Sequence, residues 1–160
     1  MWAEGIIVTD NSEVVAKPGM ALHELLETSA ATHAKFPQIG PPRDEIRFDE
    51  LLLDGNPIQA SAVFIQDRLT FFTFQLTREA DYREFGELPH RSWSNFDELW
   101  EKRGVFYDDW LKRHIGEPDK VRLWRGAWVQ HLQVKKLWGS IASVTNLSLP
   151  DACIDLDYSV

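Results

Sequence analysis

An α+β fold, an antiparallel β-sheet of four to six strands with two or three helices packed on it, is the class this sequence predicts. Three observations point to it. Residues 58–65 and 69–76 are rich in β-branched and aromatic types and flank Gln66-Asp67-Arg68, a connection of hairpin length. Residues 140–144 and 152–158 form a second such pair across a turn at Asn146 to Asp151. Between the two pairs, residues 94–115 place apolar side chains at helical spacing, with Ser94 at the start and Gly116 and Pro118 at the stop. Strands gathered in runs, with helices apart from them, indicate α+β rather than alternating βα units.

The elements follow in chain order. Glu4-Gly5-Ile6-Ile7-Val8 reads as a short strand, Thr9-Asp10-Asn11-Ser12 as a turn and Glu13-Val14-Val15-Ala16 as a second strand. Lys17-Pro18-Gly19 breaks the pattern, after which Met20, Leu22, Leu25 and Leu26 predict a helix over 20–33 that Phe36-Pro37 ends. Gly40-Pro41-Pro42-Arg43 is a loop, Ile46-Arg47-Phe48 a short strand and Asp54-Gly55-Asn56-Pro57 a turn. In the second arm of the 58–76 hairpin both faces are partly apolar, so a central strand covered on both sides is expected. Residues 78–92 are polar and carry no predicted element. The 94–115 helix contains Gly104, a candidate division into two helices, because glycine costs about 1 kcal/mol against alanine in a helix interior. Residues 120–137 fit either class: Trp124, Trp128 and Leu132 keep helical spacing, whereas Val121 with Leu123 and Leu132 with Val134 suit strands.

Length and composition restrict the class of protein. A chain of 160 residues with 44% hydrophobic and 26% charged residues is expected to form one globular domain over 1–160. Cys153 is the sole cysteine, so no intramolecular disulfide is possible, and an apolar alternation around it suits a buried thiol in a reducing compartment. No basic segment leads into an apolar run at the N-terminus, and no stretch reaches the roughly 18 apolar residues of a membrane span, so a cytoplasmic location is expected. The net charge of −8 is uneven: residues 1–80 carry 12 acids against 6 bases, and residues 81–160 carry 13 against 11. Such a balance repels phosphate backbones and favours basic partners, and it also serves solubility.

Six of the seven tryptophans lie between Trp93 and Trp138. Indole gains from burial while its N–H needs an acceptor, so each either anchors a core or awaits a partner. On the 94–115 helix, Asp97, Glu101 and Asp108 align opposite a stripe of Phe96, Trp100, Tyr107 and Trp110, and Glu98 and Asp109 extend the acidic ridge. The ridge reads either as a contact surface for a basic protein or as a solvated face with pairs from Asp108 to Lys112 and from Asp109 to Arg113. Residues 120–136 carry Lys120, Arg122, Arg125, Lys135 and Lys136 with Trp124 and Trp128 between them, a pattern able to stack on single strands. The acidic whole and the lack of a nucleic-acid signature speak against nucleic acid as partner. The five histidines are scattered without helical metal-site spacing, so no metal or cofactor is expected. There is no G-x-S-x-G and no phosphate-cradling glycine loop, and Asp44-Glu45 and Asp49-Glu50 are explained by neighbouring Arg43 and Arg47, so catalysis is not expected.

Lys17-Pro18-Gly19-Met20-Ala21-Leu22-His23-Glu24-Leu25-Leu26, Leu53-Asp54-Gly55, Tyr107-Asp108-Asp109-Trp110-Leu111 with Ile115-Gly116-Glu117-Pro118, Trp138-Gly139-Ser140-Ile141 and Ile154-Asp155-Leu156-Asp157-Tyr158 together resemble a group of small uncharacterised bacterial proteins. In that group a P-G-M-T-like turn opens a helix, D-x-W-L-x-x-x-L-G-x-P ends another, and W-G-x-I leads into a final β-hairpin. The present chain departs from it between Pro118 and Trp138 and in the final turn at 146–151. The resemblance implies structural roles for these residues and no catalytic one. At the level of type, small acidic cytoplasmic bacterial proteins without an active site resemble immunity proteins, which bind and occlude a cognate toxin. That implies a toxin basic at its contact surface, met by Asp97, Glu101, Asp108, Asp109, Trp124 and Trp128, with no nucleic acid and no membrane as partner. The alternative is a small-ligand-binding or enzymatic domain with a tryptophan-lined pocket.

Overall fold

The computed structural model describes residues 2–86, 96–146 and 152–159. Trp93, Ser94 and most of the final turn lie outside the described residues, as do the side chains of Asp97 and Trp124. Ten strands and three α-helices are described: β1 (Ile7–Val8), β2 (Val14–Ala16), α1 (Leu22–Leu26), β3 (Lys35–Gln38), β4 (Arg43–Leu53), β5 (Asn56–Ile65), β6 (Arg68–Leu76), α2 (Arg78–Phe85), α3 (Phe96–Ile115), β7 (Asp119–Arg125), β8 (Trp128–Lys136), β9 (Gly139–Asn146) and β10 (Ala152–Asp157). The class is α+β, but the sheet is larger than expected. Eight strands in the order β3-β4-β5-β6-β10-β9-β8-β7 form one antiparallel sheet, and β1 with β2 forms a second.

The strand order has a simple origin. Two four-stranded meanders, β3 to β6 and β7 to β10, each run from an outer edge to the middle and meet where β6 pairs with β10. Helices α2 and α3 connect them. Tight turns set the registers. Leu53 pairs with Asn56 around Asp54 and Gly55, both at positive φ, as a two-residue hairpin loop requires. Ile65 pairs with Arg68 around Gln66 and Asp67, also at positive φ. Arg125 pairs with Trp128 around Gly126 and Ala127, which turns the ambiguous 120–137 segment into the β7–β8 hairpin. The helical spacing of Trp124, Trp128 and Leu132 is therefore coincidental.

Other expectations need correction, each for a local reason. The strand expected at 46–48 extends over 11 residues, because one extra residue between Phe48 and Leu51 shifts the alternation while Ile46, Phe48, Leu51 and Leu53 all stay buried. The helix expected over 20–33 stops at Leu26. The Thr28 hydroxyl donates to the Leu25 carbonyl at 2.7 Å, and the Glu13 carboxylate accepts the Ser29 and Ala30 N–H groups at 2.5 and 3.1 Å, starting a separate 3₁₀ turn at Ser29–His33. Residues after it form edge strand β3 instead of a helix end. The polar stretch 78–92 contains α2, capped by the Thr77 hydroxyl accepting the Ala80 N–H at 3.3 Å and closed by Gly86 at φ +83°. Gly104 does not divide α3, which is continuous over 20 residues.

The core lies on one face of the sheet. Inward residues of β4 to β6 and of β9 and β10, among them Phe48, Phe72, Phe74, Ile141, Ile154 and Leu156, join Tyr107, Trp110 and Leu111 of α3 together with Trp2 and Leu25. Trp110 is fully buried. Its ring meets Phe74 edge-on at 5.4 Å and Trp2 at 5.8 Å, and its indole N–H donates to the Asp54 carboxylate at 2.6 Å. Tyr107 places its hydroxyl where the Leu76 N–H can donate to it at 2.8 Å, and burial pushes the phenol's pKa upward. Arg103, buried at 1% exposure, clasps Asp81 through Nε and Nη2 at 2.9 and 2.5 Å and lies over the Phe85 ring, tying α2 to α3. Among the described residues, the central strand β6 is packed chiefly on this face: Phe72, Phe74 and Leu76 are buried, whereas Phe71, Thr73 and Gln75 on the other face are partly buried.

Candidate functional site

The other face of the sheet determines what can be recognised. Strand alternation places Ala142, Val144 and Cys153 there, as a small apolar cluster separate from the main core, with Trp128 packed against it. No described helix contributes to that cluster. Across this face runs a cleft of about 620 Å³. Its C-terminal wall is built by Trp128 and Gln130 of β8, Val144 of β9, and Cys153 and Asp155 of β10; its N-terminal wall uses Arg47, Ser61 and Thr73 with the amides of Gln59 and Gln75. Both meanders contribute, and they do so through register: Asp155 stands opposite Thr73, Thr73 opposite Ser61, and Ser61 opposite Arg47.

Polar groups in the cleft are organised in two short chains. The Thr73 hydroxyl donates to the Asp155 carboxylate at 2.6 Å, and the Cys153 thiol donates to the same oxygen at 3.6 Å. One strand further, the Arg47 guanidinium and the Ser61 hydroxyl both donate to Glu45, at 2.9 and 3.4 Å. Gln130 breaks this pattern of satisfaction. It is 4% exposed, and its Oε1 is buried with no hydrogen-bond partner. An amide oxygen left so costs about 1–3 kcal/mol, which a donor entering the cleft would relieve. A one-residue bulge at His131 sets its position: Gln130 pairs with Val144 and faces the cleft, while Leu132 pairs with Ser143 and faces the core.

Among the described residues, the acids named from the sequence, Glu101, Asp108 and Asp109, do not meet Trp128. Helix α3 packs against β9 and β10 on the core side, so its ridge and the cleft lie on opposite faces of the sheet. Glu101 and Asp109 are exposed on α3, whereas the Asp97 side chain lies outside the described residues. Asp108 is not part of a solvated ridge: it is half-buried against β9, where the Ser143 hydroxyl donates to it. It neighbours the buried Gly104 and Leu111 around the helix, at the flank of the packed face. The pairing expected between Asp109 and Arg113 is replaced by a contact of Asp109 with Lys112 at 3.9 Å.

Burial pushes the Asp108 carboxyl pKa above its ordinary 3.8, outweighing the Ser143 hydrogen bond and the nearby His131. In the unfolded chain Asp108 ionises near 3.8; in the folded chain it keeps its proton to higher pH. Its contribution is therefore fully present below 3.8 and is lost as pH rises through the raised folded value. Replacing Asp108 with Asn is expected to remove that loss, so the melting temperature of the variant should gain on the native chain across this window and hold a constant lead above it. A difference in melting temperature that is flat with pH, or that runs the other way, would contradict the assignment.

Two other arrangements have the look of acid–base chemistry. His131 Nε2 contacts the Thr145 hydroxyl beneath Trp100, but Thr145 is 1% exposed and closed to any substrate. His114 contacts Asp54 and stacks on Trp2 at 3.8 Å. Asp54 also accepts the Trp110 indole, and its own N–H donates to Asp10 at 2.8 Å, so the pair fastens α3 to the β4–β5 turn. Neither arrangement opens onto the cleft lining.

Of the partner-surface residues named in advance, Trp128 lines the cleft, and Arg47, Asp49, Cys153 and Asp155, named for other reasons, line it too. Gln59, Ser61, Thr73, Gln75 and Gln130 were not singled out. Their signal was present in the alternation: outward strand positions filled by neutral amides and hydroxyls in a chain with 26% charged residues. Among the described residues, no helix is long and apolar enough to cross a membrane. The chain matches no protein-family model, no curated protein and no solved structure.

Proposed function

We propose that this chain is an immunity-type binding protein that neutralises an antibacterial toxin by occluding it, with the open face of the sheet as the contact surface. The observation that carries this reading is the cleft, where a buried, unpaired acceptor on Gln130 stands beside the half-exposed Trp128. A tryptophan at the edge of an incompletely satisfied recess has the composition of an interface anchor. The net charge of −8, with Glu101 and Asp109 exposed on α3, supports a basic partner and faster encounter with it. The test uses a toxin-like protein encoded immediately beside this chain, with binding and neutralisation measured for Trp128→Ala. Loss of a central aromatic anchor removes about 2 kcal/mol, or about thirtyfold in affinity. Undiminished neutralisation by that variant, at low and high salt alike, would exclude the cleft as the contact surface.

A second reading is favoured by the size of the recess. About 620 Å³ falls within the range of small-molecule sites, so a small polar ligand is the alternative occupant. Tight binding of a metabolite that leaves toxin neutralisation untouched would support it.

A further inference from the structure

We infer that the cleft is a receptor for one arginine side chain carried on the partner protein, its guanidinium lying over Trp128 and donating to Gln130 Oε1; this inference rests on the partner-binding reading above. Four features of the cleft carry it.

The first is the unpaired acceptor itself. Gln130 Oε1 calls for a donor, and a guanidinium offers five in one plane. The second is the aromatic floor. Trp128 packs against Ala142, Val144 and Cys153, is only partly buried and lines the cleft, as a platform for a flat cation needs. The third is charge. Arg47 of the lining is engaged by Glu45 at 2.9 Å, and the chain as a whole carries a net charge of −8, which favours a cation over an anion. The fourth is span. Gln130 and Asp155 are two strands and two residues apart in register on the same wall, about 12 Å between Cα positions, which leaves room for a flat side-chain tip along that wall beside Trp128. Arginine suits this space better than lysine, because an ammonium is a compact, strongly hydrated point charge with no plane to stack.

The test titrates the isotope-labelled chain with Nα-acetyl-arginine amide and follows the Trp128 indole and Gln130 side-chain amide signals by NMR. The citrulline, lysine and glutamate derivatives serve as comparison probes. Saturable shifts confined to the cleft are expected with arginine. The citrulline and lysine derivatives should bind about tenfold more weakly, and the glutamate derivative should not bind. Gln130→Met keeps the side chain's length without the acceptor and should weaken arginine about tenfold, and Trp128→Phe should weaken it less than Trp128→Ala. Equal binding of citrulline, tighter binding of glutamate, or no saturable shift with arginine would each overturn the guanidinium assignment. The larger reading fails separately. If the adjacent toxin still requires Trp128 while arginine amide does not bind, the cleft is the interface and its occupant is something else. If arginine amide binds but no cleft variant affects the toxin, the toxin-neutralising reading falls and the guanidinium site remains.

Discussion

Replacing Gly139 with alanine is expected to abolish the native fold at ordinary temperatures or to destabilise it by about 4 kcal/mol or more, a large share of the roughly 5–15 kcal/mol that holds a domain of this kind folded. Gly139 sits at φ +139°, a conformation L side chains rarely adopt, and a Cβ there would meet the Asp157 carbonyl oxygen at 1.9 Å. That obstacle is backbone, so it cannot rotate away. The close approach also has a purpose. Gly139 opens β9 next to the end of β10, and the preceding Trp138 lies over Gly5, donates to the Ala3 carbonyl at 3.1 Å and meets the Tyr158 ring at 5.5 Å. Tyr158 in turn donates its hydroxyl to the Gly5 carbonyl at 2.7 Å. Trp138 and Gly139 thus fasten the first residues of the chain to its last strand, which is why W-G occurs as a pair. Circular dichroism and urea titration of the variant provide the check, and a cost under about 1 kcal/mol would show that the β9–β10 approach relaxes freely.

Trp110→Ala should cost about 3–5 kcal/mol. The indole is fully buried where α3, the N-terminal segment and the centre of the sheet converge, so truncation leaves a cavity bounded by Trp2, Phe74, Phe106 and Tyr107. It also strips a donor from Asp54, which His114 contacts from the same helix. Trp110→Phe separates the two effects, since it keeps most of the apolar volume and loses only the hydrogen bond, a cost of about 1–3 kcal/mol. Chemical denaturation of both variants measures the difference. If the two lose stability equally, the Asp54 contact outweighs packing at this position.

The legible parts of the sequence were those where one periodicity dominated. The β5–β6 hairpin, the C-terminal hairpin and α3 could be read because alternation or a helical stripe ran through most of their length, the irregularity between Val63 and Phe64 lying close to the β5–β6 turn. Strand β4 looked short because its bulge reverses the phase between Phe48 and Leu51, and a count of alternating residues cannot follow a phase change. Helix α2 went unread because it buries little: Ala80 is its one buried residue, and Asp81 joins it to α3 by holding Arg103. At β7 and β8 two periodicities coincided, and only the Gly126-Ala127 turn decides between them.

The cleft was less legible than the fold. The acids of α3 share a helix face, yet the sheet lies between that helix and Trp128, so aligned charges and a nearby tryptophan do not make one surface. Conversely, Asp155 and Ser61 lie 94 positions apart in the chain but stand on neighbouring walls of one recess.

Local periodicity and composition suffice for the α+β class, the buried thiol of Cys153, the two hairpins, the long helix and the acidic balance. Which face of the sheet carries the cleft, which acid is buried and which polar side chains share a recess follow instead from long-range packing. Those properties depend on β6 meeting β10, a pairing between meanders that no local pattern encodes. Once that pairing is made, alternation assigns every side chain of both meanders to the covered or the open face, and the unsatisfied Gln130 comes to lie beside Trp128 on the open one.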